Sequence, residues 1–359
     1  MLVLAAALGL SLTSASVASS QQMVFGRIVK GRAYYYPAPR PVDEKLFEAI
    51  QAKNVPQMRA LLREGAGANA IVENGWHALL WAVAGRKRAL PMAKLLIQHG
   101  ADVNYREPDG GFTPLTYALE NFGCGTDLIR FLLKRGANVG VAVNNGKTAL
   151  AMSVGGPPEY LKLLLSRGAK VNTRTKTDGT YIQSESSPGP NFKPSGETPI
   201  FGLADHWVLA DYELLINAGA DPKAADDNGW TLLHKSVWNG NLQAVKFLLS
   251  HGWNANMASK QGFTPLHLAV IGADSGSRTD LIRLLLRHGA NRLLKNRSGQ
   301  SPADLLRIST EHQLIEVERP EPDGFVRFFL KSQNEILKLV DPGAKEMELP
   351  RKAPAPGSR

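Results

Sequence analysis

The chain has 359 residues, 43% hydrophobic and 21% charged, with 42 Lys and Arg against 32 Asp and Glu for a net charge of +10. That balance supplies a sizeable apolar core under an ordinary charged surface, and it excludes collagen-like, low-complexity and disulfide-scaffold classes. A single cysteine, Cys124, excludes an internal disulfide and any cysteine-pair zinc site.

Residues 1–20 carry no charged side chain. They run apolar from Met1 to Leu12 and turn small and polar from Ser14 to Ser20, the pattern of a secretory signal with small residues at its cleavage site. The run is too short to span a bilayer, which needs about 20 apolar residues. The competing reading is a buried or anchoring N-terminal helix. Export without disulfides points to a periplasmic or secreted protein, with no stable membrane insertion once the signal is gone. Residues 21–42 mix Arg27, Lys30, Arg32 and Arg40 with Tyr34, Tyr35 and Tyr36 and with Pro37, Pro39 and Pro41. They read as a basic linker in which helix is disfavoured.

From Asp43 a helical pattern begins. Leu46, Phe47 and Ile50 lie on one face, and Met58, Leu61 and Leu62 form a second stripe that ends at Gly65-Ala66. That glycine-alanine exit returns at Gly100, Gly136, Gly168, Gly219 and Gly289, with Gly252-Trp253 in the same place, at intervals of 35, 36, 32, 51, 33 and 37 residues. Such a period marks a repeat array, because a single two-helix unit cannot bury its apolar face alone. Between units stand turn dipeptides such as Asn74-Gly75, Asn145-Gly146, Asn228-Gly229 and Gln261-Gly262.

The run Gly262-Phe263-Thr264-Pro265-Leu266-His267-Leu268-Ala269, followed by Leu284-Leu285-Leu286-Arg287-His288-Gly289-Ala290-Asn291, resembles the ankyrin-repeat family. Weaker copies include Phe112-Thr113-Pro114-Leu115, Glu197-Thr198-Pro199-Ile200 and Trp230-Thr231-Leu232-Leu233-His234. The resemblance implies an all-α solenoid of helix-turn-helix units joined by short hairpin-like fingers, spanning 43–316 as about eight units. It also implies that His234 and His267 serve the turn network. The 51-residue interval holds an insertion at 172–195, expected as a long finger that is either functional or disordered. Residues 317–340, an apolar stretch ending in Ile336, Leu337 and Val340, are expected to cap the array, and 341–359 to form a disordered tail.

No metalloprotease helix, nucleophile elbow or paired-cysteine zinc spacing occurs, and Gly146-Lys147-Thr148 fails the phosphate-loop spacing. The histidines are spread one per unit, which suits no metal cluster. The expectation is a non-enzyme with no catalytic residue, metal or cofactor, acting as a monomer on another protein and not on nucleic acid. The excess of basic residues suits an acidic partner, although a solvated outer face explains the same charges. In the family, recognition falls to finger tips and the concave inner helices. The residue before each turn threonine reports that surface: Trp76, Phe112, Lys147, Glu197, Trp230 and Phe263. Tyr181 in the insertion and His206, Trp238 and Asn239 at inner-helix ends complete the expected contact set, with Trp230 and Trp238 as an exposed pair flanking one groove. The general expectation is an exported interaction protein. Its sharper versions are a periplasmic immunity protein that neutralises a toxic secreted enzyme, or a host-directed adaptor.

Overall fold

A computed structural model describes residues 23–29, 32–37, 39–71, 75–85, 88–120, 122–175, 196–271, 278–316 and 323–347. The signal-like segment 1–20, Tyr181 and the end of the expected tail lie outside the described residues. Helices predominate among the described residues, and the chain divides into two compact units, the first of residues 1–82 and 91–102, the second of residues 83–90 and 103–359.

In the first unit, β1 (Met23–Val29) pairs antiparallel with β2 (Arg32–Pro37), with one register irregularity between Phe25 and Arg27. The stretch read as a linker therefore holds a two-stranded ribbon, consistent with the strand preference of its consecutive tyrosines. Helix α1 (Pro41–Gln51) starts at its proline, where the missing amide hydrogen costs nothing, and α2 (Val55–Arg63) is capped by Asn54, whose Oδ1 accepts from Gln57 N at 3.1 Å. Leu46, Phe47, Ile50, Met58, Leu61 and Leu62 are all buried, as their spacing predicts. The backbone of Ile71 bridges to His77 in the same way that Ala142 bridges to Thr148 and Ala225 to Thr231, so His77 holds the turn-threonine place in its repeat.

The second unit repeats the motif. Short inner helices, α5 (Pro114–Glu120), α7 (Ala149–Ser153), α10 (Leu232–Trp238) and α12 (Pro265–Ile271), alternate with outer helices α6 (Thr126–Lys134), α8 (Pro158–Ser166), α9 (Leu209–Asn217), α11 (Leu242–Ser250) and α13 (Arg278–Arg287). Between α8 and α9 the inner element is a 3₁₀ helix, Pro199–Ala204. Helices α3 (Ala78–Ala84) and α4 (Ala89–Gln98) precede this series, and α14 (Pro302–Glu316) and α15 (Asp323–Val340) close it, with Ile336, Leu337 and Val340 buried. The first residues of the expected tail fold back: Met347 N donates to Asn334 Oδ1 at 2.8 Å and Lys338 pairs with Glu346 at 2.6 Å.

Each glycine-alanine exit has one physical cause. The seven exit glycines adopt φ between 78° and 94°, and the residue after each donates back to the carbonyl five positions earlier, as Ala137 N does to Leu132 O and Ala290 N to Leu285 O, both at 3.0 Å. This is the left-handed helix stop that glycine alone enters without strain, and it tucks the following alanine into the core. Four residues past the glycine stands an asparagine in four repeats, and it grips the next repeat twice. Asn69, Asn104, Asn172 and Asn256 donate from Nδ2 to the carbonyls of Gly100, Gly136, Gly219 and Gly289 at 2.8, 3.1, 2.9 and 2.8 Å. Their Oδ1 atoms accept from the amides of Asp102, Asn138, Asp221 and Asn291 at 2.8, 2.8, 3.0 and 2.7 Å. The insertion begins later than its spacing suggested. Asn172 clamps as the others do, and Arg174 donates to Ala225 O and Asp227 Oδ1, both at 2.9 Å, just as Arg106 reaches Ala142 O and Asn144 Oδ1. Regular geometry thus continues through Thr175.

Replacing Asn256 with alanine removes two side-chain hydrogen bonds, each contributing about 1 kcal/mol net. Urea unfolding of the Asn256→Ala chain is expected to show a loss of about 1–2 kcal/mol, and an unchanged midpoint would contradict the clamp.

Candidate functional site

The residue before each turn threonine leads directly into an inner helix, and the structure shows where its side chain goes. Trp76 packs on Trp81 with ring centroids 5.4 Å apart, Phe112 on Tyr117 at 5.8 Å, and Phe263 on His267 at 6.0 Å. Each ring lies against the inner helix of its own repeat and is half-buried. Lys147 is exposed, and Glu197 is half-buried.

The expected exposed tryptophan pair is corrected here. Trp230 is only 5% exposed, because it is closed in by Trp238 at 5.8 Å in an edge-to-face contact and by His234 at 6.3 Å. Trp238, two helical turns further along α10, is half-buried and is the member of the pair that retains an open face. What Trp230 contributes is a rigid backing for its neighbour.

Around Trp238 the structure brings together residues from two inner elements. Lys235 forms an ion pair with Glu197, the two side chains being 20% and 12% exposed. One turn on, Asn239 donates to Asp205 Oδ1 at 2.5 Å, and Asn241 donates to Ala204 O at 3.2 Å while its Oδ1 caps α11 through Ala244 N at 3.1 Å. Lys235 and Asn239 are four residues apart and so share a helix side, and their partners Glu197 and Asp205 flank the 3₁₀ element. His206 is exposed beside this row, its Cβ so close to Gly155 that a side chain there would come within 2.5 Å. Of the ten expected contact residues, the structure gathers Glu197, His206, Trp230, Trp238 and Asn239 about one inner surface. Trp76 lies in the first unit, Phe112, Lys147 and Phe263 stand on other fingers, and Tyr181 lies outside the described residues.

The repeat that carries the 3₁₀ element departs from its neighbours in its turn network. In the Trp230 repeat, Thr231 Oγ1 meets His234 Nδ1 at 2.9 Å, and His234 Nε2 reaches Met257 O at 3.0 Å; Thr264 and His267 repeat the first contact at 2.8 Å. In the Thr198 repeat, Phe201 occupies the histidine place and is 1% exposed, and Thr198 Oγ1 is buried with no hydrogen-bond partner. Base and finger are held instead by Thr175: its N donates to Glu197 O at 2.8 Å and its O accepts from Gly196 N at 3.0 Å. The ion pair and the Asp205–Asn239 bond then fix this irregular repeat to the regular one that follows.

Two features were not expected from the sequence. Trp207, Tyr212 and Phe247 form a cluster with centroid separations of 5.6, 5.0 and 5.1 Å, and His251 stacks on Phe247 at 3.9 Å. Asp211 is fully buried, accepts from Gly155 N at 2.9 Å, and has its carboxyl pKa raised by that burial. Among the described residues there is no group of three or more His, Cys, Asp or Glu able to hold a metal, and no helix long and apolar enough to cross a membrane.

A family model described as ankyrin repeats in three copies matches residues 46–143 and 210–302, together more than half of the chain. Among curated proteins, the chain is 29% identical to human (Homo sapiens) SH3 and multiple ankyrin repeat domains protein 2 over 228 residues, which cover 62% of this chain and 11% of that protein. It is 27% identical to human ankyrin repeat and SOCS box protein 16 over 292 residues, 73% of this chain and 58% of that protein. It is 37% identical to human protein phosphatase 1 regulatory subunit 27 over 79 residues, 22% of this chain and 49% of that protein. The chain thus spans less than two thirds of the length of each of these relatives.

Burial pushes the ring pKa of His77 and of His234 down to about 4 from 6.5. An unfolded chain then binds more protons than the folded one between those values, so their contribution to stability is complete above pH 6.5 and declines as pH falls toward 4. Burial raises the carboxyls of Asp211 and Asp226, which act in the opposite sense lower in the range. Ring NMR signals of the two histidines therefore give the direct reading: they are expected to titrate near pH 4, and titration near 6.5 would contradict their burial as neutral rings.

Proposed function

The chain belongs to the ankyrin-repeat family, and from that premise we propose that it is a non-enzymatic protein that binds a partner protein through the inner-helix surface centred on Lys235, Trp238 and Asn239. The observation that carries this reading is the fixation of that row. An aromatic face backed by Trp230 stands between an ion pair and an amide–carboxylate bond that tie it to the neighbouring repeat. A preorganised tryptophan beside polar groups held in place is the arrangement of an interface anchor, because little side-chain freedom remains to be lost on binding. Relatives whose names describe a phosphatase regulatory subunit and a SOCS-box protein favour an interaction role over catalysis.

The finer reading is that the protein acts after export, in a periplasmic or extracellular compartment, as a monomer. Its support is the uncharged N-terminal segment with small residues from Ser14 to Ser20. A partner that is a toxic enzyme would make it an immunity protein; a partner in another cell would make it an adaptor.

Affinity capture of the processed protein from its own cells tests both parts. Intact-mass measurement is expected to show loss of roughly the first 20 residues, in line with a signal peptide; retention of Met1 would overturn export. Trp238→Ala is expected to lower partner recovery about tenfold or more, the scale of an interface hot spot, with an unchanged circular dichroism spectrum. Full recovery by a folded Trp238→Ala chain would overturn the assignment of this surface.

A further inference from the structure

The finger at Asn296–Gln300 is the last of its row among the described residues. Its two predecessors are each covered by the next finger: Lys260 N donates to Asn228 O, and Arg297 N to Gln261 O, both at 2.9 Å. A Cβ placed on Gly229 or Gly262 would lie 2.8 Å from the backbone N of Lys260 or Arg297, so only glycine admits that approach. At Gly299 a Cβ would meet nothing within 4 Å. Ser298 holds the place of Asn228 and Gln261, and among the described residues no further finger donates to its carbonyl.

The surroundings of this open edge are basic and locally apolar. Lys295 and Arg297 are exposed on either side of buried Asn296, where the finger turns, and exposed Lys260 holds the place of Arg297 on the preceding finger. Between Leu281 and Gln300 the sequence has five basic residues and no acidic one. Asp304 accepts from Ser301 N and Oγ at 2.9 and 2.7 Å, bonds that, together with the nearby charges of Arg307 and Lys295, lower its carboxyl pKa, and Asp341 faces Arg307 at 3.9 Å. Where four other repeats carry the clamping asparagine, this one carries Leu293, 82% exposed. It borders a cleft of about 390 Å³ whose apolar lining is Ala290, Ala303, Val340 and Pro342, with Arg292 and Asp341 as its charged members.

We infer that this edge docks an extended acidic segment of a partner protein. The segment's backbone donates to Ser298 O as a further finger would, its carboxylates face Lys260, Lys295 and Arg297, and an apolar side chain enters the cleft beside Leu293. Backbone pairing at an open edge supplies affinity, and the flanking charges select the partner. The inference rests on the reading of the chain as protein-binding, but on a surface separate from Trp238.

The test uses the full chain and a fluorescent synthetic peptide of alternating leucine with Asp or Glu. The double variant Lys295→Glu with Arg297→Glu is expected to weaken binding about tenfold, Leu293→Asp about threefold or more, and backbone N-methylation of the peptide to a similar degree. Arg59→Glu with Arg63→Glu, an equal change of net charge elsewhere, and Trp238→Ala are expected to leave the affinity unchanged. Should the double variant misfold by circular dichroism, Lys295→Gln with Arg297→Gln replaces it. Equal losses from the two charge-reversed doubles, or indifference to N-methylation, would overturn the proposal. Peptide binding untouched by the Lys295 and Arg297 changes would also overturn it, and loss of binding to phosphatidylserine vesicles in the same variant would then reassign the patch to a membrane surface.

Discussion

An asparagine four residues past a helix exit bonds twice to the repeat that follows, once as donor and once as acceptor, and four repeats are joined to the next one in this way. The exit itself is a left-handed glycine, which turns the chain by a fixed amount and buries the next side chain. From there the asparagine meets the next repeat's exit glycine at its carbonyl and the next repeat's backbone at its amide. Apolar burial supplies most of the stability of such a packing, but burial has no direction. The paired hydrogen bonds have one, so they set register where the hydrophobic stripes only set proximity.

Three exits lack the asparagine, and what stands there instead is informative. Gly140 holds the place in one repeat, and across that junction Arg167 donates to Leu133 O at 2.7 Å. Lys223 holds it in another, and that junction is bridged by Glu197–Lys235, Asp205–Asn239 and the Trp207–Tyr212–Phe247 cluster. The inner surface proposed to bind a partner therefore lies where the generic clamp has been exchanged for side chains that are specific to this protein. Leu293 holds the third place, with no further glycine exit after it among the described residues, and is exposed. Two of the three departures, at Lys223 and Leu293, coincide with a surface of distinct chemistry.

Much of this was legible in the sequence. The glycine spacing marks every exit because few other residues accept that backbone conformation, and the apolar stripes at Leu46–Ile50 and Met58–Leu62 give the buried faces directly. The Thr–His pairs at Thr231–His234 and Thr264–His267 were equally plain. The exposure of Trp230 was not, since the pattern that puts a residue before the turn threonine does not say whether its ring leaves the surface or folds onto its own helix. Nor was the 3₁₀ element: Phe201 stands at the histidine place and Thr198 Oγ1 is buried without a partner, but the Thr148 repeat has Ala151 at that place and keeps an α-helix, so the letters alone do not single this repeat out. The recurrence of Asn69, Asn104, Asn172 and Asn256 is present in the letters, but their role needs the partner carbonyls, which lie 31 to 47 residues away. The ribbon at 23–37 was masked by its prolines and charges.

Amide hydrogen exchange on the intact chain tests the clamp most directly, because it reads each repeat junction separately. The amides of Asp102, Asn138, Asp221 and Asn291 donate to a clamping asparagine, whereas Lys170 and Asn254 occupy the same backbone place in repeats whose predecessors carry Gly140 and Lys223 instead. The first four are expected to exchange about tenfold or more slowly than the other two, the protection given by a hydrogen bond worth about 1.4 kcal/mol. Equal exchange at all six would contradict the account.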